Sequence, residues 1–280
     1  MLDIPVCDKY GGEKRIALLD NSTISFMLKL DEKGHSCESL LQEYDVIFLP
    51  GWVAEEVQDS EFRVKYVERL VKQGVPIRIV KESVYSDLMD GEELYVFHIV
   101  KASVSRLGIL LKYMRLYVEK TDALDMEPYE DWIEKMYHNW PIHIDYNVEG
   151  RIKKKNAGEI SLTILSEVFS WHYPNTEVLT VYTQDTDTYV FQKHAETELK
   201  KIFKEKIPVS VTYRSNDSIM CELYRKQRLS LEEIRDIRKD SRYVTYTLER
   251  ADKSIVLETK RLDNEAFIKI MQDDSMQIIF

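Results

Sequence analysis

The stretch VLTVYTQDTDTYVF, residues 178–191, decides how the chain is read. Val178, Leu179, Val181 and Tyr182 form a short β-prone run that predicts a buried strand. Thr183-Gln184-Asp185-Thr186-Asp187 follows, with two carboxylates standing two residues apart among hydroxyl and amide side chains. Tyr189, Val190 and Phe191 then resume an apolar pattern that opens a helix. A carboxylate pair at the carboxyl end of a buried strand occupies the edge where open α/β sheets hold ligands. Two such groups held close repel one another unless a proton or a cation intervenes. All-oxygen donors of this kind suit a hard divalent ion such as Mg2+ or Mn2+. Taken alone, the pair reads more simply as loop and N-cap chemistry, for which Asp and Thr are ordinary choices. The rest of the chain has to decide.

With 280 residues, the chain can form one large domain or two smaller ones, each with a real core. Its 44% hydrophobic and 31% charged residues, without low-complexity tracts, place it among globular rather than disordered proteins. A net charge of −10 argues against electrostatic coating of nucleic acid, although clustered metal-binding carboxylates would themselves add negative charge. Cys7, Cys37 and Cys221 are widely spaced and include no CxxC pair, which fits reduced thiols in a cytoplasmic protein. Residues 1–10 carry no apolar signal core, so secretion is not expected. Residues 99–118 are the most apolar long stretch, yet Lys101, Lys112 and Arg115 share one helical face with Arg106 beside it. That pattern predicts an amphipathic core helix and no membrane span.

Upstream, Ile16-Ala17-Leu18-Leu19 predicts a strand closed by Asp20. Asp20-Asn21-Ser22-Thr23 reads as a strand end and N-cap before a helix over 24–30. Val46-Ile47-Phe48-Leu49 predicts a second buried strand, broken by Pro50-Gly51-Trp52. A helix opening at Val53 runs on through 63–71, until Gly74 and Pro76 end it, and Ile77-Arg78-Ile79-Val80 is a third strand. This alternation predicts an α/β fold with a central, mostly parallel sheet flanked by helices. Residues 82–150 read as a helical insertion with loops at 122–130 and 141–150. Its aromatic residues suit a core better than a base-stacking platform. Arg151-Ile152-Lys153-Lys154-Lys155 is the densest basic run, and the helix over 160–171 follows it. Asn156 can cap that helix, with Glu159 at the position a capping box uses.

A helix over 195–204, a strand over 209–213 and the segment 219–228 complete a main domain of residues 1–228. Residues 229–280 form a small α+β C-terminal extension. It comprises a charged helix over 229–239, strands over 243–248 and 254–260 turned at Ala251-Asp252-Lys253, a helix over 265–271, and an apolar strand over 276–280. No Pro/Gly-rich linker separates the two parts, so the extension packs on the main domain or at an oligomer interface. Its apolar last strand would offer an edge to a second copy.

Four acidic positions share one place in this topology: Asp20 after the first strand, Glu56 in the helix after the second, Glu159 opening a later helix, and Asp185 with Asp187 after another strand. In a parallel sheet all of these lie on the same edge. Leu19-Asp20-Asn21-Ser22, Leu49-Pro50-Gly51-Trp52-Val53-Ala54-Glu55-Glu56-Val57, Ala157-Gly158-Glu159-Ile160-Ser161 and Thr183-Gln184-Asp185-Thr186-Asp187 together resemble, in order and local context, the motifs of the PIN-domain nuclease family. Glu56 is preferred to Glu55 because it directly precedes the apolar Val57. The resemblance covers roughly residues 15–213, with a longer helical insertion than a compact PIN domain carries, and leaves residues 229–280 unexplained.

The resemblance implies one or two Mg2+ or Mn2+ ions held by Asp20, Glu56, Glu159 and Asp185, with Asp187 as a further ligand or an orienter of the attacking water. Ser22 and Thr183 would support the site. The activity implied is metal-assisted hydrolysis of RNA phosphodiester bonds by a toxin, defence effector or RNA-processing enzyme. Cleavage of DNA or of particular nucleic-acid structures is the alternative within the same chemistry, and a non-catalytic RNA- or protein-binding module is the alternative outside it. Arg151, Lys153, Lys154 and Lys155 are the candidate phosphate contacts, with Arg225, Lys226 and Arg228 a weaker patch. A homo-oligomer or a regulatory protein partner fits the unexplained tail.

Overall fold

Short, mostly apolar runs, too brief for helices, line up as five parallel strands, of which the middle three are buried almost throughout. The computed structural model describes residues 2–7, 9–119, 125–145, 150–250, 253–273 and 275–279. The strands in chain order are β1 (Arg15–Leu19), β2 (Val46–Pro50), β3 (Ile77–Val80), a separate hairpin of β4 (Ile142–Asp145) and β5 (Arg151–Lys154), then β6 (Val178–Tyr182) and β7 (Val211–Arg214). The central sheet has the order β3-β2-β1-β6-β7, with every neighbouring pair parallel. All of β2 is buried, and β1 and β6 are buried after their first residue. The chain lays β2 and β3 outward from β1, then returns to place β6 on the other side of β1. Winding therefore reverses between β1 and β6, which opens a crevice outside their carboxyl ends.

Helices α1 (Asn21–Glu32), α2 (Glu38–Leu41), α3 (Gly51–Val57) and α4 (Glu61–Lys72) connect the first three strands. The insertion contributes α5 (Tyr85–Leu88), α6 (Glu93–Ser103), α7 (Gly108–Tyr113) and α8 (Tyr129–His138). Helices α9 (Ala157–His172) and α10 (Thr186–Ile202) flank β6, and α11 (Asn216–Arg225) leaves β7. Nearly every residue of α9 is buried, and Phe169 stacks on Phe48 of β2 with ring centroids 5.2 Å apart. It is the central helix of the fold. Tyr85, Tyr129, Trp132 and Trp140 of the insertion are buried in the same core, as their aromatic composition predicts.

Three expectations for residues 53–150 need correction. The helix predicted from Val53 to Val71 is two helices, because the chain turns at Gln58-Asp59-Ser60 and Ser60 adopts an extended backbone before α4. The amphipathic stretch 99–118 is likewise broken: α6 ends at Ser103, Gly108 opens α7, and a π turn spans Met114–Val118. The predicted loop 141–150 contains β4, whose isoleucines pair with β5 in the register Ile142↔Lys154 and Ile144↔Ile152. In the other predicted loop, residues 122–124 lie outside the described residues, and α8 begins at Tyr129 after Pro128. Among the described residues no helix is long and apolar enough to cross a membrane, and the three cysteines are buried and free.

The extension contains α12 (Leu231–Ile237), β8 (Arg242–Glu249), β9 (Ile255–Leu262), α13 (Asn264–Gln272) and β10 (Gln277–Ile278), with a three-stranded sheet of order β10-β8-β9. Ala251 and Asp252 of the predicted hairpin turn lie outside the described residues, as does Phe280. The terminal strand is shorter than predicted and is an outer strand of this sheet. It pairs with β8 through Gln277↔Thr247 and Ile278↔Tyr246, and Ile278 is buried. A buried ionic group fastens the extension: the Asp217 carboxylate in α11 meets Arg238 after α12 and Arg242 at the start of β8.

Candidate functional site

Adjacent strands bring Asp20 and Thr183 together at the crevice. Thr183 Oγ1 donates to Asp20 Oδ2 at 2.9 Å, and the Ser22 hydroxyl donates to the same oxygen. Asp20 stands at the N-cap position of α1, yet its carboxylate makes no side-chain capping bond. Capping therefore does not account for it. Only 6% of Asp20 is exposed. Burial raises its carboxyl above the usual range, opposed by the Ser22 and Thr183 hydroxyls and reinforced by the charge of Asp185.

The same hydroxyls organise the loop after β6. Thr183 Oγ1 accepts the Asp185 N–H at 3.0 Å, and Ser22 Oγ accepts the Gln184 N–H at 3.3 Å. Asp185 then caps α10 by accepting the Asp187 N–H at 2.8 Å. Asp187 itself is exposed in the first turn of that helix.

Glu56 and Glu159 approach from two further elements. Asn21 Nδ2 donates to Glu56 Oε2 at 3.4 Å, whereas Glu55 turns away to accept the Tyr137 hydroxyl at 2.6 Å. Burial pushes Glu56 up to about 7, the Asp20 charge adds to the rise, and Lys153, Asn21 and Arg63 oppose it. Glu159, in the first turn of α9, is pushed up to about 8. Burial is again the first cause, a backbone hydrogen bond opposes it, and the charges of Asp20, Asp185 and Glu56 raise it further. The capping box expected at Asn156 and Glu159 does not form, because Asn156 adopts a left-handed backbone with φ 57° and makes no side-chain cap. Asp20, Glu56, Glu159 and Asp185 therefore sense one another across four separate elements.

No family model and no curated protein sequence matches the chain. The fit to a divalent ion rests on the donors themselves. All four carboxylates are hard oxygen donors, and the buried Oδ1 of Asn21, whose Nδ2 meets Glu56, accepts no hydrogen bond among the described residues. Among the described residues, however, no three Asp, Glu, His or Cys side chains are already gathered around one point as ligands. The carboxylates would reach a common ion by rotation of their side chains or through water.

The basic run divides by position. Lys153 lies close enough to Glu56 to lower its pKa. Lys154 is committed elsewhere: its Nζ donates to the backbone carbonyls of Tyr137 at 2.5 Å and His138 at 3.2 Å, at the carboxyl end of α8. Lys155 is exposed, and the side chain of Arg151 lies outside the described residues. In the second basic patch, Lys226 pairs with Glu43 at 2.5 Å, and Arg225 donates to the Met276 carbonyl at 3.0 Å. Trp52, Tyr137, Ile152 and Lys153 line a cleft of about 250 Å³ against Glu56.

Glu82 was not singled out by sequence, although it stands just past β3 on the same edge. Its Oε1 accepts the Trp52 N–H at 2.9 Å and the Ser161 hydroxyl, so it ties the first turn of α3 to the second turn of α9. These are the helices that carry Glu56 and Glu159. A methyl group at Gly51 would collide with Glu82 Oε2, which explains the glycine at that contact. Burial pushes Glu82 up to about 7 against the Ser161 and Trp52 donors.

Proposed function

We propose that the protein is a PIN-like, divalent-metal-dependent endonuclease that hydrolyses RNA. The supporting observation is the convergence of Asp20, Glu56, Glu159 and Asp185 at the point where winding of the sheet reverses. Mg2+ or Mn2+, when bound, would supply an activated water and positive charge beside the scissile phosphate. Asp20, steered by Ser22 and Thr183, presents one carboxylate oxygen from a fixed position. Asp185 is fixed by its capping bond, while Glu56 and Glu159 hold protons near neutrality and release them as the ion binds. Lys153 faces the cluster and suits a phosphate oxygen, and Asp187 stands at the rim. The buried free cysteines suit a reducing, cytoplasmic setting. Incubation with RNA and DNA oligonucleotides in Mn2+ tests the activity and the substrate together. Absence of cleavage of either, with the fold intact and Mn2+ present, overturns the proposal in favour of a binding module.

Two measurements sharpen it. Because Glu56 and Glu159 titrate at about 7 and about 8 rather than at 4.5, protons compete with the ion below those values. Apparent Mn2+ affinity should therefore climb from pH 6 to pH 9, with proton release that calorimetry detects as a dependence on buffer ionisation heat. A flat affinity across that range contradicts the assignment. Gly158→Ala is the second test, since its Cβ would stand 2.9 Å from Glu56 Oε1 and 3.4 Å from Val53 Cγ2. Glu56 can swing aside on its flexible stem, and alanine is a better helix former than glycine, so melting should change little. Cleavage should fall by about tenfold, since displaced catalytic groups are costly.

A further inference from the structure

We infer that β9 is a self-pairing edge, through which two copies of this chain join their C-terminal sheets into one continuous antiparallel sheet. In the three-stranded sheet β8 lies between β10 and β9, so among the described residues β9 pairs with β8 alone. It is eight residues long, regular, free of proline and paired along its whole length, from Arg242↔Leu262 to Glu249↔Ile255. At the hairpin end the Arg250 N–H donates to the Ser254 carbonyl at 2.8 Å. Antiparallel alternation from that bond turns the backbone groups of Val256, Glu258, Lys260 and Leu262 toward β8. Those of Ile255, Leu257, Thr259 and Arg261 point outward. The edge is open.

Its charge pattern selects one register. Outward-facing groups must meet outward-facing groups, which restricts a two-fold pairing to a few centres. Centring on Glu258 opposes that carboxylate to itself, and centring on Lys260 does the same with an ammonium. Centring on Leu257 sets Glu258 against Val256. Centring on Thr259 places Glu258 opposite Lys260 of the partner subunit and Lys260 opposite Glu258 of the partner subunit. These fall at non-hydrogen-bonded sites, where cross-strand side chains approach most closely. Lysine on an edge strand commonly deters pairing. Here the Lys260 charge is already answered within the chain by Glu258 at 2.6 Å, so each copy presents both signs.

The outer face of the ribbon supplies apolar cover in the same register. Tyr243, Ile255 and Leu257 are 67%, 71% and 65% exposed. Tyr243 lies beside Arg261 in the β8–β9 ladder, and the pairing sets Leu257 of the partner subunit against that arginine's aliphatic stem. The contact of Thr245 Oγ1 with Thr259 Oγ1 at 2.9 Å would extend across the axis as a threonine row.

Sedimentation velocity on the full chain over a concentration series tests the pairing. The wild type is expected to form a dimer, and Glu258→Lys or Lys260→Glu, each of which creates like-charge pairs, should raise the dissociation constant by at least about tenfold. The double exchange E258K/K260E should restore it. Thr259→Pro removes an outward N–H without touching the β8 ladder, so it should yield monomers with an unchanged melting temperature. A wild type that stays monomeric throughout, or a dimer indifferent to both single charge changes and to Thr259→Pro, overturns the inference.

Discussion

Asp20→Asn should abolish Mn2+- or Mg2+-dependent cleavage, by about three orders of magnitude, without lowering the melting temperature. Asp20 is buried beside three other carboxylates, and its ionised form is disfavoured first by lost solvation and then by the Asp185 charge. Asparagine keeps the oxygen that accepts from Ser22 and Thr183, so the loop after β6 stays in place. It removes a charge that the fold holds at a cost, and stability should stay equal or rise slightly, as is common where residues serve function rather than folding. Glu56 should titrate lower, because Asp20 is the largest charge raising it. Cleavage assays, thermal melts and carboxylate titration by NMR read these effects separately. Lost activity accompanied by a collapse in stability would mark Asp20 as a packing residue.

Strand–helix alternation was enough to place the parallel sheet, and the cores of β1, β2 and β6 were legible because buried parallel strands are short, mostly apolar runs. The two helix breaks were not legible, since Gln58-Asp59-Ser60 and Gly108 interrupt apolar patterns that remain helical in period on either side. Acidity at the sheet edge was a real signal, but it selects too many residues. Glu82 follows β3 and Asp217 follows β7, on the same edge as Asp20 and Asp185. What separates them is the hydrogen-bonding environment, which strand order alone cannot encode. Glu82 braces two helices, Asp217 is neutralised by arginines more than twenty residues away, and Asp20 is held by neutral donors, chiefly the Ser22 and Thr183 hydroxyls, beside other carboxylates. The basic run was similarly ambiguous: Lys153 and Lys154 are adjacent in sequence, but strand alternation sends one toward Glu56 and the other to the end of α8.

Asp217→Ala should cost about 3–5 kcal/mol, since it leaves a buried guanidinium without its counter-charge. Asp217 is 1% exposed and Arg238 is fully buried. Arg238 Nε lies 3.2 Å and 3.3 Å from the two carboxylate oxygens, Nη2 donates to the Leu262 carbonyl at 3.2 Å, and the guanidinium carbon sits 4.3 Å from the Phe267 ring centroid. Its Nη1 has no hydrogen-bond partner among the described residues, and Asp217 is the carboxylate it pairs with directly, the Asp263 charge adding to the attraction. Arg242 approaches the same carboxylate from a more exposed position, and Arg242→Ala should cost only about 1 kcal/mol. Arg238→Met, which keeps volume and leaves Asp217 paired with Arg242, should fall between the two. Denaturant melts establish that order, and equal losses for all three variants would contradict the asymmetry. Hydrogen exchange should show β8 opening first in Asp217→Ala. The damage should also reach the sheet edge, because the neighbouring Asn216 N–H donates to Gln184 Oε1 at 3.1 Å in the loop that holds Asp185. Any cleavage activity should therefore decline with Asp217→Ala even though the residue touches none of the clustered carboxylates.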